Sequence, residues 1–229
     1  MEAVFLGIND AGEQIYNWLN QQEDVEVKAL LTEKDQLGLI KELEPEIVIS
    51  AGFEHKVPEE IIEIPEKGVV NVHPSLLPYN RGSYPYMWPL LDGTPAGVSI
   101  HYMAEGIDEG PIIDQMEVPV KPEDTAKDLY ERLKSESVLL FKEAWPEIKK
   151  GVKGRSQDLS TGQTHYRNEL DDVAEIDLDE KVRAGDLIDR LRALSFPPHE
   201  NGFFEVNGQK YFVEIDITPE TELQNSEDL

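Results

Sequence analysis

The sequence predicts an α/β protein whose central sheet is mostly parallel, twisted and flanked by helices. Short apolar segments alternate with amphipathic helical segments along residues 1–51, and this alternation is typical of right-handed βαβ crossovers. At 229 residues, the chain is long enough for one full domain and a small appendage. We therefore expect a Rossmann-like sheet followed by a small C-terminal helix and β-hairpin.

The individual elements follow from local patterns. Ile15, Trp18 and Leu19 recur at intervals of three and four, which predicts the first amphipathic helix. The Asn207-Gly208 pair predicts a hairpin turn, because both residue types tolerate the positive φ that such a turn requires. The predicted strands cover 3–8, 25–31, 46–51, 69–73, 97–103 and 111–120. The predicted helices cover 11–21, 35–43, 125–150 and 184–194, and the hairpin covers 203–213.

The chain is expected to divide into three regions. Residues 1–150 hold the predicted sheet and end with the longest helical segment. Residues 151–217 form a C-terminal extension that starts as a polar connection rich in Gly and Asp and continues with one helix and the hairpin. Residues 218–229 form an acidic tail.

Charge and composition exclude several classes of partner. Lys and Arg number 21 against 47 Asp and Glu, a net charge of −26, and this diffuse acidity disfavours nucleic acid and anionic membranes. It fits either a need for solubility or the acidic proteome of a salt-rich cytoplasm. The chain has no cysteine, which excludes disulfides, thiolate nucleophiles and Cys-ligated metals. No apolar run reaches the ~20 residues that cross a bilayer, and we expect a cytoplasmic protein.

The most informative segment is Asn71-Val72-His73-Pro74, at the end of the predicted strand 69–73. Alternate residues share one face of a strand, so the Asn and His side chains are expected to point the same way. The proline ends the strand and places the pair at its carboxyl end. Because ligands bind at this end of open parallel sheets, the pair is a candidate catalytic site.

A second candidate is Asp108, in the loop between the fifth and sixth predicted strands. It lies between Gly106 and Gly110, and by itself this context is also typical of a turn residue that accepts hydrogen bonds from backbone amides. His101 lies on the preceding strand, between two apolar neighbours. We interpret it as a packed or hydrogen-bonded histidine and not as a catalytic residue.

Together these residues resemble the signature of the folate-dependent formyltransferases. This superfamily includes methionyl-tRNA formyltransferase, glycinamide ribonucleotide transformylase and the sugar N-formyltransferases. The resemblance covers roughly residues 46–150; it implies the formyltransferase fold and makes residues 1–150 the catalytic domain. The matching residues are Asn71, His73, Ser75, Leu76, Leu77 and Pro78, with Asp108 in a Gly-Ile-Asp-Glu-Gly-Pro segment.

The resemblance also implies a chemistry. N10-formyltetrahydrofolate would be the co-substrate, a primary amine of a small molecule the acceptor, and no metal would be needed. The amide of Asn71 would donate a hydrogen bond to the oxyanion that forms when the amine attacks. His73 would shuttle the proton, and Asp108 would orient His73 or a bridging water. By the same likeness, the folate pocket would be lined by His55, Lys56, Val57, Ser75, Leu76, Leu77 and Pro78.

The acceptor is expected to be a nucleotide-linked amino sugar. Segments 164–167, 176–179 and 191–198 look most like the sugar N-formyltransferases and their relatives. Arg81, Tyr84 and Tyr86 follow the motif and would reach a pyrophosphate or stack on a base. An equal alternative is that these three residues only hold the loop to the core.

Other functions stay open at this point. The resemblance also allows a methionyl-tRNA formyltransferase-like enzyme, although the net charge of −26 argues against holding tRNA. It allows a glycinamide ribonucleotide transformylase-like enzyme, although the turn 7–12 lacks the Gly-Ser-Asn-rich pattern of that branch. A formyltetrahydrofolate hydrolase would use the same three residues with water, and a non-catalytic folate-binding module is a further alternative. A nicotinamide-dependent oxidoreductase is disfavoured because the sequence has no G-x-G-x-x-G fingerprint after the first strand.

The C-terminal hairpin leaves the oligomeric state open and allows a homodimer. Its aromatic residues Phe203, Phe204, Tyr211 and Phe212 form an apolar surface that needs a partner. Because an isolated hairpin is only marginally stable, we expect this surface to pack either on the core or on a second subunit.

Overall fold

A computed structural model describes residues 1–221 of the chain and contains the predicted sheet and the C-terminal hairpin. Seven strands precede the long helix: β1 (Glu2–Leu6), β2 (Glu26–Leu31), β3 (Ile47–Ala51), β4 (Val69–His73), β5 (Arg81–Gly82), β6 (Gly97–Tyr102) and β7 (Ile112–Glu117). The C-terminal part adds the short strands β8 (Thr164–His165), β9 (Ser195–Phe196), β10 (His199–Glu200), β11 (Phe203–Val206) and β12 (Gln209–Phe212). The last two form the predicted hairpin.

The central sheet has the strand order β2-β1-β3-β4-β6-β7. The first four strands in this order are parallel, β6 is antiparallel to β4, and β7 is antiparallel to β6, so the sheet is mostly parallel as predicted. The chain leaves β1 toward β2 on one side, while β3 lies on the other. The loops that follow β1 and β3 approach each other closely. A Cβ added to Gly7, whose φ is +83°, would lie 2.4 Å from the amide nitrogen of Phe53.

Helices cover both faces of the sheet. In chain order they are α1 (Asp10–Leu19), α2 (Leu39–Leu43), α3 (Glu59–Ile62), α4 (Trp88–Asp92), α5 (Ala126–Lys150), α6 (Glu169–Ala174) and α7 (Ala184–Leu194). One face packs against α1 and α5 through buried side chains such as Ile15, Leu133 and Phe141. The other face packs against α2 and α3 through Ile40 and Ile61.

The ends of the longest helix, α5, are explained by local chemistry. The hydroxyl of Thr125 accepts a hydrogen bond from the amide of Asp128, whose carboxylate in turn accepts one from the amide of Thr125. This reciprocal arrangement is a capping box. At the other end, Gly151 adopts a left-handed conformation with φ +70°, which terminates the helix without a steric penalty. The helix therefore coincides with the predicted segment 125–150 to within one residue.

Two parts of the sequence prediction need correction. The predicted helix 35–43 begins as a 3₁₀ segment, Lys34–Gly38, before the α-helical turn of α2. The polar connection 151–180 contains β8, which pairs with β5, and α6, so it is more ordered than its composition indicates. The acidic tail predicted for 218–229 lies mostly outside the described residues. Within the described chain, no helix combines the length and hydrophobicity that crossing a bilayer demands.

The packing of α5 generates a stability prediction. Leu133 is fully buried, whereas Leu139 on the same helix is 46% exposed. We expect Leu133→Ala to lower the free energy of unfolding by about 3 kcal/mol or more, because it removes buried apolar surface and leaves a cavity. The matched change Leu139→Ala is expected to cost less than about 1 kcal/mol. Urea denaturation checks both values, and equal losses would contradict this account of the core.

Candidate active site

The strand β4 carries the first two candidate residues, Asn71 and His73, on one of its faces. The alternate residues Val70 and Val72 join the core on the opposite face, beside α1 and α5. His73 is the last residue of β4 and is only 7% exposed. The alternation expected from the sequence therefore holds, and both polar side chains lie toward the carboxyl end of a parallel strand.

The loop between β6 and β7 brings Asp108 to the same place. One carboxylate oxygen, Oδ2, lies 3.6 Å from Nδ1 of His73 and accepts a hydrogen bond of 2.9 Å from the amide of Gly82. The other, Oδ1, lies 3.5 Å from Nε2 of His101. Asp108 has φ +52°, a left-handed conformation that is uncommon for a residue other than glycine. The three predicted catalytic residues thus belong to one cluster.

His101 is the member of this cluster that the sequence interpretation left outside the catalytic set. Antiparallel pairing places it directly opposite Asn71 on the neighbouring strand. Its Nδ1 lies 2.8 Å from the carbonyl oxygen of Tyr102, and since a carbonyl only accepts, Nδ1 carries the proton in the neutral ring. Nε2 then accepts from the side-chain nitrogen of Asn71 at 3.2 Å. This bond orients the Asn71 amide and leaves it one N–H to donate elsewhere.

The charges of the site follow from burial and from these contacts. Burial by itself raises the pKa of Asp108, but the neighbouring His73 and His101 and the Gly82 amide together hold it well below its usual range. Asp108 is therefore ionised at neutral pH. Burial lowers the pKa of His73 below 6.5, while the charge of Asp108 opposes this shift. His73 is consequently neutral near pH 7 and has a carboxylate beside it that stabilises its protonated form.

The residues expected to line a folate pocket occupy two loops. His55 and Lys56 are exposed in the loop after β3, whereas Val57 is packed into the core beside α3. The turn 75–78 follows β4, and the Ser99 hydroxyl both donates to the Ser75 carbonyl at 2.7 Å and accepts from the Leu77 amide at 3.0 Å. The first loop follows the strand next to β4 and the turn follows β4 itself, so both lie beside the polar cluster; which of their residues touch a ligand stays a prediction.

The structure separates the three residues considered for acceptor binding. Arg81 is buried, and its guanidinium donates to the Thr164 hydroxyl at 2.9 Å and to the Pro78 carbonyl at 3.0 Å. These bonds favour the alternative interpretation, in which Arg81 only fixes the loop, although the bond to Thr164 joins it to the connection and not to the core as expected. Tyr84 and Tyr86 are half-buried, and Tyr86 belongs to an aromatic cluster with Tyr130 and Phe196. Among residues 1–221, no group of three or more His, Asp or Glu is placed to hold a metal ion.

The coupling between Asp108 and His73 can be measured directly. We expect His73 to titrate below pH 6.5 in NMR spectra of the imidazole nitrogens, because it is buried. Asp108→Asn removes the negative charge that favours the imidazolium, so the pKa of His73 should fall further. Asp24→Asn, which removes an exposed carboxylate near the amino ends of β1 and β2, should leave it unchanged. A rise of the His73 pKa in Asp108→Asn would show that the two side chains do not interact as described.

Comparison with known proteins identifies the family. Residues 9–144 match the formyl transferase family, and residues 169–219 match the N-formyltransferase dimerization C-terminal domain. A dTDP-4-amino-4,6-dideoxyglucose formyltransferase of Mycobacterium bovis is 32% identical over 178 residues, which cover 76% of this chain and 74% of that protein.

Solved structures agree with this assignment. A 4-N formyltransferase from Francisella tularensis superposes with a TM-score of 0.85 at 26% identity, covering 95% of this chain and 98% of that chain. A formyltransferase from Anoxybacillus kamchatkensis, solved with UDP-4,6-dideoxy-4-formamido-L-AltNAc and tetrahydrofolate, superposes with a TM-score of 0.69 at 28% identity, covering 84% of this chain and 98% of that chain. The chain described here therefore belongs to the formyltransferase family.

Proposed function

We propose that this enzyme transfers the formyl group of N10-formyltetrahydrofolate to the amine of a nucleotide-linked amino sugar. The observation that carries the proposal is the cluster of Asn71, His73 and Asp108, which β4 and the loop after β6 bring within contact of one another or of His101. The family match and the amino-sugar relatives support the same reaction.

Each member of the cluster has a separate task in this proposal. Asn71, oriented by His101, donates its remaining N–H to the oxygen that becomes negative when the amine attacks the formyl carbon. His73 is neutral near pH 7 and accepts the proton released from the attacking amine. It then gives this proton to the folate nitrogen, whose bond to the formyl carbon breaks as the oxyanion collapses, so tetrahydrofolate is released and the amine keeps the formyl group. Asp108 stays ionised and stabilises the imidazolium that results. No side chain of this cluster forms a covalent bond to the substrate.

The residues present fit a folate co-substrate. N10-formyltetrahydrofolate supplies an electrophilic formyl carbon bonded to a nitrogen leaving group. For such a donor the site needs one hydrogen-bond donor, one proton acceptor and no competing nucleophile. Asn71 and His73 meet the first two needs, and the cysteine-free sequence contains no thiolate to take the formyl group. The exposed residues His55 and Lys56 and the turn 75–78 are proposed to contact the folate.

The choice of acceptor rests on the relatives and on charge. The curated relative acts on a dTDP-linked amino sugar, and one solved relative was crystallised with a UDP-linked formamido sugar. The net charge of −26 opposes the binding of a polyanion as long as tRNA. A nucleotide-linked sugar carries its negative charge on one short pyrophosphate, so it meets far less of this repulsion.

We also propose that the protein is a homodimer. Residues 169–219 match a dimerization domain, and they include the hairpin of β11 and β12. On this hairpin Tyr211 and Phe212 are 43% and 48% exposed, as expected for apolar side chains that lack a second subunit. This surface favours the second of the two alternatives derived from the sequence.

The role of Asn71 can be separated from folate binding. We expect Asn71→Ala to lower kcat by about 10²–10³-fold, because the oxyanion loses a hydrogen-bond donor. The Kd for tetrahydrofolate, measured by calorimetry, should change by less than about threefold if the amide acts mainly in the transition state. Asn168→Ala, at an exposed position before α6, serves as the matched control and should retain full activity. Unchanged turnover in Asn71→Ala would remove this residue from the mechanism.

A panel of acceptors tests the reaction itself. The release of tetrahydrofolate from N10-formyltetrahydrofolate is followed with dTDP-, UDP- and GDP-linked amino sugars, glycinamide ribonucleotide, charged initiator tRNA and water alone, each at low and molar salt. We expect turnover with an amino sugar and none with tRNA. Turnover with water alone would indicate a hydrolase, and turnover only with tRNA or glycinamide ribonucleotide would overturn the proposed acceptor while preserving the chemistry.

A further inference from the structure

The loop that carries Asp108 is hydrogen-bonded to a segment of the chain outside both regions that match known families. This segment, residues 152–157, lies between the matched ranges 9–144 and 169–219. It lies beside the start of β7, the edge strand of the central sheet. The hydroxyl of Tyr102 donates to the Val152 carbonyl at 2.7 Å, and Arg155 and Ile112 exchange two backbone hydrogen bonds of 2.8 Å.

Gln157, the last residue of this segment, contacts the Asp108 loop directly. Its side-chain nitrogen donates to the carbonyl oxygen of Asp108 at 2.8 Å and to that of Gly110 at 2.7 Å. Two carbonyl oxygens accept from one amide group, so the orientation of the Gln157 amide is determined: its nitrogen faces the loop. The opposite atom, Oε1, is buried without a partner among residues 1–221. The two hydrogen bonds from Nε2 are therefore the polar contacts that the Gln157 side chain makes with the Asp108 loop.

The path of the chain explains why the Asp108 loop depends on contacts such as these two hydrogen bonds. Because β6 is antiparallel to β4, the chain leaves β6 at Tyr102, which pairs with Val70 near the start of β4. His73 lies at the opposite end of β4, so the loop must fold back for Asp108 to reach it. The reversal brings Gly110 so close that an added Cβ would lie 1.8 Å from the Tyr102 carbonyl oxygen. It also places Asp108 in a left-handed conformation, which surrounding contacts must maintain.

We propose that Gln157 is a positioning residue that holds the carboxylate of Asp108 against His73. The proposal rests on the proposed function, because it matters for catalysis only if Asp108 stabilises the imidazolium of His73. Gln157 does not touch His73, Asn71 or His101 by any hydrogen bond of the described chain, so it acts through the main chain of the Asp108 loop. Glycine and the turn geometry allow the loop to reverse, and Gln157 selects the arrangement that reaches the site.

The test uses Gln157→Met, which keeps the length of the side chain and removes both donated bonds, with Gln157→Ala as a second, smaller substitution. The control is Tyr102→Phe, which removes a hydrogen bond to the same segment at Val152 without touching the Asp108 loop. The pKa of His73 is measured by NMR in each variant, in wild type and in Asp108→Asn. Besides Asp108, the groups that face His73 are His101 and the carbonyl of Asn80, and neither is altered.

We expect the pKa of His73 in both Gln157 variants to fall toward its value in Asp108→Asn, because the carboxylate moves away from the imidazole. Turnover should fall about tenfold or more, as a displaced catalytic group commonly causes, while KM for the acceptor changes less than about threefold. Tyr102→Phe should match wild type in both measurements. Urea denaturation confirms that each variant is folded.

The outcomes test the positioning role of Gln157 separately from the proposed formyl transfer. A wild-type pKa of His73 in both Gln157 variants would overturn the positioning role. An equal fall in Tyr102→Phe would also overturn it, because the effect would then belong to the whole segment. A fall in the pKa of His73 with unchanged turnover would support the positioning role and contradict the part that Asp108 plays in the proposed mechanism. The NMR measurement needs no substrate, so it stays decisive even if no acceptor is formylated.

Discussion

The structure of this site depends on one negative charge that is largely removed from water, the carboxylate of Asp108, whose side chain is 16% exposed. An ionised carboxylate removed from water is costly unless hydrogen-bond donors or positive charges surround it. The amide of Gly82 supplies a donor to Oδ2, and Nδ1 of His73 lies 3.6 Å from the same oxygen. These partners come from β5 and β4, so the charge is compensated only when both strands are in place. The fold and the site are therefore stabilised by the same contacts.

This arrangement also determines how His73 behaves. Its two nitrogens face two acceptors, the Asp108 carboxylate and, at 3.4 Å, the Asn80 carbonyl. A neutral imidazole has one N–H and can donate to only one of them, whereas the imidazolium can donate to both. Burial works in the opposite direction and disfavours the charged ring. As a result, His73 is neutral near pH 7. Once it is protonated, it can donate one hydrogen bond to the Asp108 carboxylate and one to the Asn80 carbonyl.

Much of the fold and part of the site can be predicted from sequence patterns. The residues that could not be predicted are placed by contacts between distant parts of the chain. The strand 69–73 and the helix 184–194 are predicted with the bounds that the structure shows, because apolar periodicity within each segment and the proline that ends the strand are local signals. Asn71 and His73 share a face by the alternation of a strand. The place of His101 depends on the antiparallel pairing of β4 with β6, which no local pattern encodes. The same holds for Gln157, which lies 49 residues from Asp108 along the chain and in a segment whose composition indicates only a polar connection.

Arg81 illustrates a second limit of prediction from sequence, which concerns the role of a charged side chain. A basic residue in an acidic chain invites assignment to an anionic ligand, yet its guanidinium donates to the Thr164 hydroxyl and to the carbonyls of Pro78 and Gly162.

The overall charge is still informative, because electrostatic forces in physiological salt reach only about 8 Å. A small nucleotide-linked acceptor meets only the charges within that distance of its binding site. A tRNA contacts a long stretch of surface and meets the repulsion of a chain with net charge −26. Net charge thus favours a small acceptor over a polynucleotide, although both would be formylated by the same chemistry.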